Sequence, residues 1–310
     1  MPVFNAETTA SLSDHLMSYL EKRFLERLEV KFHFNKFAMQ KKLKKGEGKT
    51  VKWNKWANVS DSTTALTSGV SPDGIDLSST NQTATLSQYG QFATATDFLI
   101  LTAINDTLKD YVDLLAYAGG KSLDALLRNE VDVNATTQMA AASANEAAVQ
   151  ADPTAILIAN EIRKAVKTLR NNDADEFEDG MYRGIIHPFG EFDLLSESNA
   201  GSHIQTVQHT DHAPIEKGMI GSLYGVRFFR SSHIRAVAPN TNTYRHIITG
   251  PMAYGAVSID SGDLKIIIKN LGSAGSEDPL DQRATVGYKF WHAAKLLDAS
   301  RVVRISAYGA

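Results

Sequence analysis

The 310-residue sequence contains no cysteine. That absence excludes disulfides, thiolate metal sites and a cysteine nucleophile, and it suits a reducing compartment. No apolar run approaches the roughly 18–20 residues needed to span a bilayer. The opening MPVFNAETTASLSDHLMSYL lacks a basic stretch followed by an apolar core, so no signal peptide is read there and no membrane partner is expected. Signatures of catalysis are missing too. There is no GxSxG, and GSAG at 272–275 holds its serine at the wrong spacing for a nucleophile elbow. The acidic run Glu176, Glu178 and Asp179 has no glycine where a calcium loop requires one, so it reads as a solvated turn. His203, His209, Asp211 and His212 lie close together, but no helix holds them on one face. They read as a polar loop, and no metal or other cofactor is expected. With no convergent set of titratable groups on a rigid frame, no enzymatic activity is expected.

What the sequence does have is an uneven charge distribution. The net charge is −3, yet residues 1–60 are rich in lysine and arginine while residues 61–150 are predominantly acidic. The densest cationic stretch, KKLKKGEGKTVKW at 41–53, ends one motif in GKT, as a phosphate-binding loop does. Such a loop needs a first glycine where Leu43 stands, a buried strand before it and a helix after it. TVKWNKW instead alternates Val51 and Trp53 with lysines, which is strand chemistry. The nucleotide-binding reading is therefore rejected. Gly46 and Gly48 read as turn residues.

Periodicity organises the rest. Leu12, Leu16, Leu20, Phe24 and Leu28 recur at i, i+4 and predict an amphipathic helix over 12–28. Residues 60–87 are crowded with serine and threonine, with SPDG at 71–74 as a turn signal. A polar excursion this long is rare in a compact domain unless it has a function, so 46–89 reads as an extended two-stranded arm. Residues 106–131 place Leu108, Tyr111, Val112, Leu115, Leu123, Leu126 and Leu127 on one stripe of a long helix. Gly119-Gly120 within it suggests close packing of another backbone. An Ala/Asn-rich link follows, then a helix with Asp152 as N-cap and Pro153 at its first position. Strands are expected at YRGIIHP, LYGVRFFRSS, RHIITG, AYGAVSI and LKIIIKN, a short helix around FGEFDLLSES, and strand–turn–strand over ATVGYKFWHAAKLLDASRVVRISAY. This is an α+β class with non-sequential strands and no regular βαβ alternation.

The order of parts resembles the major capsid proteins of tailed bacteriophages, the Hong-Kong-97-type fold, and within them the N4-like podovirus branch. FLERLEVKFHFNKF, KKLKKGEGKTVKW, ALTSGVSPDG, TATLSQYGQF, GVRFFRSS, AYGAVSI and KNLGSAGSEDPLDQRATVGYKFWHAAKLLDASRVVRI carry the likeness, over about residues 19–306. The resemblance implies an N-terminal arm over 1–44 and an extended loop over 45–92 lying on a neighbouring subunit. It implies a peripheral domain from 93–150, with a spine helix, joined by return strands at 255–310, and an axial domain over 151–254. It further implies hexamers and pentamers closing an icosahedral shell around double-stranded DNA contacted non-specifically. A portal, decoration proteins and a separate scaffolding protein are the other implied partners, with assembly in the host cytoplasm and residence in the virion. Lys–Asn cross-linking, known in a minority of the family, is not carried over.

On that reading Lys41, Lys42, Lys44, Lys45, Lys49, Lys52 and Lys55 form the root and first strand of an arm reaching another subunit. The acidic block from Asp97 through Asp132 is the expected charge partner, and Trp53 and Trp56 the expected interface anchors, with core packing the alternative for each tryptophan. The alternative function is a nucleic-acid-binding protein using the basic 36–55 stretch on phosphates.

Overall fold

The computed structural model describes residues 33–44, 46–59, 61–71, 74–103, 107–197, 219–237, 241–259, 264–272 and 278–309. The expected helix at 12–28, Lys45, the centre of SPDG, the histidines at 203–212 and residues 273–275 of GSAG lie outside them.

Phe34–Phe37 forms one helical turn, α1, with both phenylalanines buried. Strand β1, Met39–Leu43, follows, and then β2, Thr50–Trp56, which pairs antiparallel with β3, Ser79–Thr85, as the expected hairpin. Gly46 and Gly48 take φ of +96° and +91° in the intervening turn, the left-handed region that glycine enters without a Cβ penalty. Lys49 and Thr50 lead into a strand, so the helix a phosphate-binding loop would open is not there.

Strand β4, Ser87–Thr96, ends in a short helix α2, Asp97–Thr102, where the Thr96 side chain accepts from the Leu99 N–H. Helix α3 then runs from Thr107 to Asn134, roughly 42 Å at ~1.5 Å per residue, and it extends the expected helix at its C-terminal end. Gly119 does approach the sheet, but its neighbours are side chains rather than backbone. A Cβ on Gly119 would stand 3.5 Å from Leu264 and from Tyr288.

The Ala/Asn-rich stretch is not a link. It holds strand β5, Thr136–Met139, and helix α4, Glu146–Ala151, whose Asn145 cap accepts from the Ala148 N–H. Nor does Asp152 cap the next helix. Its carboxylate accepts from the backbone and hydroxyl of Thr154, while buried Ala155 and Leu157 keep the chain extended beside the sheet. Helix α5 begins only at Ala159 and runs to Asn171.

Two sheets organise the remainder. In the first, β12, Arg283–Leu296, is the central strand. Along one edge it pairs with β11, Lys265–Lys269, and then with β10, Tyr254–Ile259; along the other it pairs with β4. Strand β1 extends this sheet by pairing parallel with β10. Helix α3 covers one face through Val112, Leu115, Val286, Tyr288 and Phe290.

The second sheet has the order β5, β13 (Val302–Tyr308), β9 (Thr243–Thr249), β6 (Tyr182–Ile186), β8 (Val226–Arg230), β7 (Met219–Leu223). LYGVRFFRSS is therefore not one strand. Tyr224 and Gly225, with φ of +51° and +80°, form the two-residue turn of the β7–β8 hairpin. Helix α5 packs its Ile162, Val166 and Leu169 on one face, while Leu127 and Val131 of α3 reach the opposite face at Ile185 and Ile247. Helix α6, Pro188–Ser196, begins where the His187 side chain accepts from the Phe189 N–H. The last strand thus joins the sheet of residues 182–249, as does β5. Hydrogen bonding groups 136–139 and 302–308 with the expected axial segment, and the boundaries at 150 and 255 do not follow the sheets.

Candidate assembly surface

The lysines of the basic stretch stand on two adjacent strands and the turn between them. Lys41 and Lys42 lie on β1, Lys44 just past it, Lys49 in the turn, and Lys52 and Lys55 on β2, all exposed. Alternation along β2 sends Val51 and Trp53 inward and Lys52 outward, while Lys55 follows on the Trp53 side, where it reaches Asp298. Trp53 is only 8% exposed and belongs to a small core with Leu43, Val51, Ala84, Leu86, Val257 and Ala293. Gly255 makes room for it, because a Cβ there would lie 2.8 Å from the indole ring. Trp53 is therefore a core residue fastening the hairpin root to the first sheet, and the expectation of an interface anchor is corrected for it. Trp56, one strand residue beyond the covered sheet, is 63% exposed and stays available.

Two of the lysines are engaged within the chain. Lys41 Nζ donates to the Lys52 carbonyl at 3.0 Å and lies 5.7 Å from the Trp53 ring centroid. Lys55 forms an ion pair with Asp298. Beyond the paired strands, residues 57–78 carry Val59, Leu66, Val70, Ile75 and Leu77 with their side chains in water.

Two acids of the block expected to be a charge partner, Asp124 and Asp132, are buried and engaged within the chain. Asp124 accepts from the Phe34 N–H at 2.9 Å and the Asn35 N–H at 3.4 Å, satisfying the first turn of α1. Burial pushes its carboxyl up to about 6, against the downward pull of those backbone donors. Asp132, at the end of α3, accepts from Arg245 at 2.6 Å and lies 3.5 Å from Arg235 and 3.7 Å from Arg304. Glu146 pairs with Arg245 at 2.7 Å and Arg304 at 3.1 Å. Burial works to raise the Glu146 pKa, but hydrogen bonds from Arg245 and Ser306 and the arginine charges outweigh it and hold the carboxyl below its usual range. Arginine fits this site because its planar fork reaches two carboxylates at once. The network ties α3, α4, β9 and β13 together at the junction of the two sheets.

The acidic turn is likewise paired rather than simply solvated. Glu176 accepts from Arg170 at 2.9 Å, and Asp179 bridges Arg183 and Arg227.

The sequence family described as phage capsid protein matches residues 80–305. The chain belongs to that family. No curated protein matches the sequence. Among solved structures, the capsid of Ralstonia phage GP4 is similar at 14% identity and a TM-score of 0.68, covering 88% of this chain and 87% of that one. The capsid of cyanophage P-SCSP1u gives 14% identity and 0.64 over 90% and 89%. The capsid of Helicobacter pylori bacteriophage KHP30 gives 10% and 0.63 over 90% and 92%. At these identities the structures establish the fold, and the family match carries the function.

This is a major capsid protein, a structural and self-assembling component of the phage virion. Its exposed surface suits that role. Besides Trp56 and the hairpin tip, the described residues of the capsid protein leave Phe92, Phe98, Leu101, Leu114, Phe192 and Leu280 exposed. Phe92 and its surroundings were missed in the sequence, because TATLSQYGQFATAT reads only as an alternating strand. The pattern does not tell which face is covered.

Proposed function

We propose that this capsid protein forms hexamers and pentamers that close an icosahedral head around double-stranded DNA, with the β2–β3 hairpin of each copy lying on a neighbour. The observation that supports this reading is the hairpin itself. Its root is fixed by Trp53, Val51 and Leu86, while the described residues between Trp56 and Ser79 are exposed and present apolar side chains to water. Lys41, Lys42, Lys44, Lys45, Lys49, Lys52 and Trp56 flank the intersubunit contact, and Trp53 and Lys55 hold the root in place. The second sheet, with α5, is the axial part at capsomer centres, and the first sheet, with α3, is the peripheral part. Many copies of one modest contact give a stable closed shell. The protein acts without a catalytic step. A separate scaffolding protein, a portal and decoration proteins complete the head, which assembles in the host cytoplasm and touches DNA non-specifically. Its ancestry lies with the N4-like podoviruses. Family membership favours this reading over nucleic-acid binding through residues 36–55.

Excising residues 58–77 and joining the ends with a short Gly/Ser turn tests the division of labour. The paired strands remain, and a shorter loop costs less entropy, by about 0.6 kcal/mol per halving. The expected result is a melting temperature within a few degrees of the parent, and no shells in electron micrographs with scaffold supplied. Intact shells would overturn the role given to the arm.

A further inference from the structure

Helix α5, ANEIRKAVKTLRN, holds four cations and a single acid. That acid, Glu161, is engaged by Lys164 at 2.7 Å and by Gln138 at 2.8 Å. Arg163 and Lys167 stand four residues apart on an exposed face, and among the described residues no carboxylate pairs with either. Like charges at that spacing repel and weaken the helix. Arg170, one turn further on, is held in place by Glu176, whose Oε1 accepts from its Nε at 3.2 Å and its Nη2 at 2.9 Å.

A second local cost falls on the same face. In the β7–β8 turn Tyr224 takes φ of +51°, a conformation that asparagine or glycine enters easily and a bulky side chain does not. The ring is kept there all the same, with the Arg163 guanidinium 5.3 Å from its centroid. Gly225 lets the turn come close to the helix, since a Cβ on it would lie 3.4 Å from Arg170 Nη2. Between turn and helix lies a groove of about 620 Å³, lined by Arg163, Val166, Lys167, Arg170, Asn171 and Tyr224, with no carboxylate among them.

Repelling cations and a strained tyrosine thus converge on one groove. Strain concentrated at one place points to a function there, and a bound anion removes the repulsion. We infer that the groove between α5 and the Tyr224 turn is a binding site for a short chain of phosphates. Arg163 and Lys167 supply the unpaired charge, Arg170 the far end, and Tyr224 a wall with a hydroxyl donor. The two arginines are seven residues apart, about 10 Å along the helix axis. One phosphate does not span that distance, whereas two or three in a row do. Arginine forks also match phosphate oxygens with parallel pairs of hydrogen bonds. The site belongs to the second sheet and not to the hairpin, so it stands or falls independently of the assembly reading.

The test uses unassembled protein and sodium tripolyphosphate at physiological salt. Calorimetry should show saturable binding of one equivalent per chain, and the saturated protein should melt at a higher temperature. Lys167→Gln should weaken binding roughly tenfold, the loss of one charge-assisted contact. It should not lower the melting temperature of the free protein, because it removes a like-charge neighbour. Lys121→Gln makes the same change in charge at an exposed position of α3 and should leave binding within about twofold, since distant charges are screened. Equal effects of the two variants would reduce the binding to bulk charge and overturn the site. Absence of saturation below millimolar tripolyphosphate would overturn it too.

Titration with dATP separates the two sources of such a chain. Equal or weaker binding than tripolyphosphate means that the groove reads phosphates alone. Tighter binding that Tyr224→Leu abolishes means that it also stacks a base, and the ligand is a nucleotide. Either result supports the site. A short DNA strand that binds where tripolyphosphate does not would overturn it in favour of a nucleic-acid surface.

Discussion

The second sheet and the hairpin arm solve opposite problems with similar residues. In β13 six consecutive positions, from Val302 to Ala307, are buried, because α5 lies on one face of that sheet and α3 on the other. In the hairpin, burial stops after Trp53. Trp56, Leu66, Ile75 and Leu77 are as apolar as the core residues, yet they stand in water. The difference lies in available partners. Val303 and Ile305 find theirs within the chain, while the tip of a two-stranded ribbon has no second layer to pack on. An isolated ribbon this long is stable only at its anchored end, and the proposed function gives its free end to contacts that arise on assembly.

The comparison can be broken most forcefully in the core. Phe228 lies against Gly184, where a Cβ would approach its ring to 2.7 Å. Phe228→Ala should cost about 3–5 kcal/mol and lower the melting temperature by roughly 10 °C, measured on unassembled protein. A change of only a degree or two would mean the second sheet is not the stability centre it is taken to be.

Next in size is the junction of the sheets. Asp132→Ala would leave Arg245 and Arg304 sharing Glu146 alone, at a cost of about 3 kcal/mol. Asp132→Asn, which keeps an acceptor, should cost less. Equal losses in urea melts would argue that packing rather than charge matters there.

Acid should act on the second sheet more than on the arm. Burial lowers the His246 pKa to about 3 and that of neighbouring His187 to about 4. The folded state thus stays neutral where an unfolded histidine, near 6.5, takes up a proton. Stability from His246 is present above pH 6.5 and is lost as pH falls from 6.5 toward 3, by up to ~1.4 kcal/mol per pH unit. His246→Gln keeps an acceptor for the His187 N–H, which now donates to the imidazole at 3.2 Å. It should flatten the stability–pH curve over that window by about one proton's slope. An unchanged slope would remove His246 from the account.

The smallest expected effect belongs to the arm. Leu66→Ser and Val70→Ser should leave the unfolding free energy of the unassembled protein within about 0.5 kcal/mol of the parent. A loss near that of Phe228→Ala would show that the loop packs on its own chain after all.

Much of the fold was legible because it follows from short-range periodicity. The i, i+4 stripe of 107–134 and the alternation of Val51 and Trp53 with lysines specify a helix and a strand without reference to anything distant. Turn chemistry at Gly46 and Gly48 was readable for the same reason. Asp152-Pro153 misled because a good capping pair competes with tertiary demands. The chain there runs past β13, with the Tyr308 N–H donating to the Ala155 carbonyl, and helix formation waits until Ala159. Strand β5 was missed because TTQM is too short and too weakly apolar to carry a pattern.

The candidate surface was half legible. The lysine run and the polar excursion stand out in the sequence, but alternation along β2 says only that Trp53 and Lys52 face opposite ways, not which way is inward. Gly255 and Val257, two hundred residues on, decide that. The sequence by itself determined an α+β chain without disulfides, with a long helix, a basic root and an acidic, cation-free loop. Only tertiary structure decided that Asp124 and Asp132 are spent internally, that β13 joins β9 rather than β10, and that a strip around Phe92 is left bare. Such outcomes depend on which surfaces remain after every long-range strand has found its partner, and no local window of sequence contains that information.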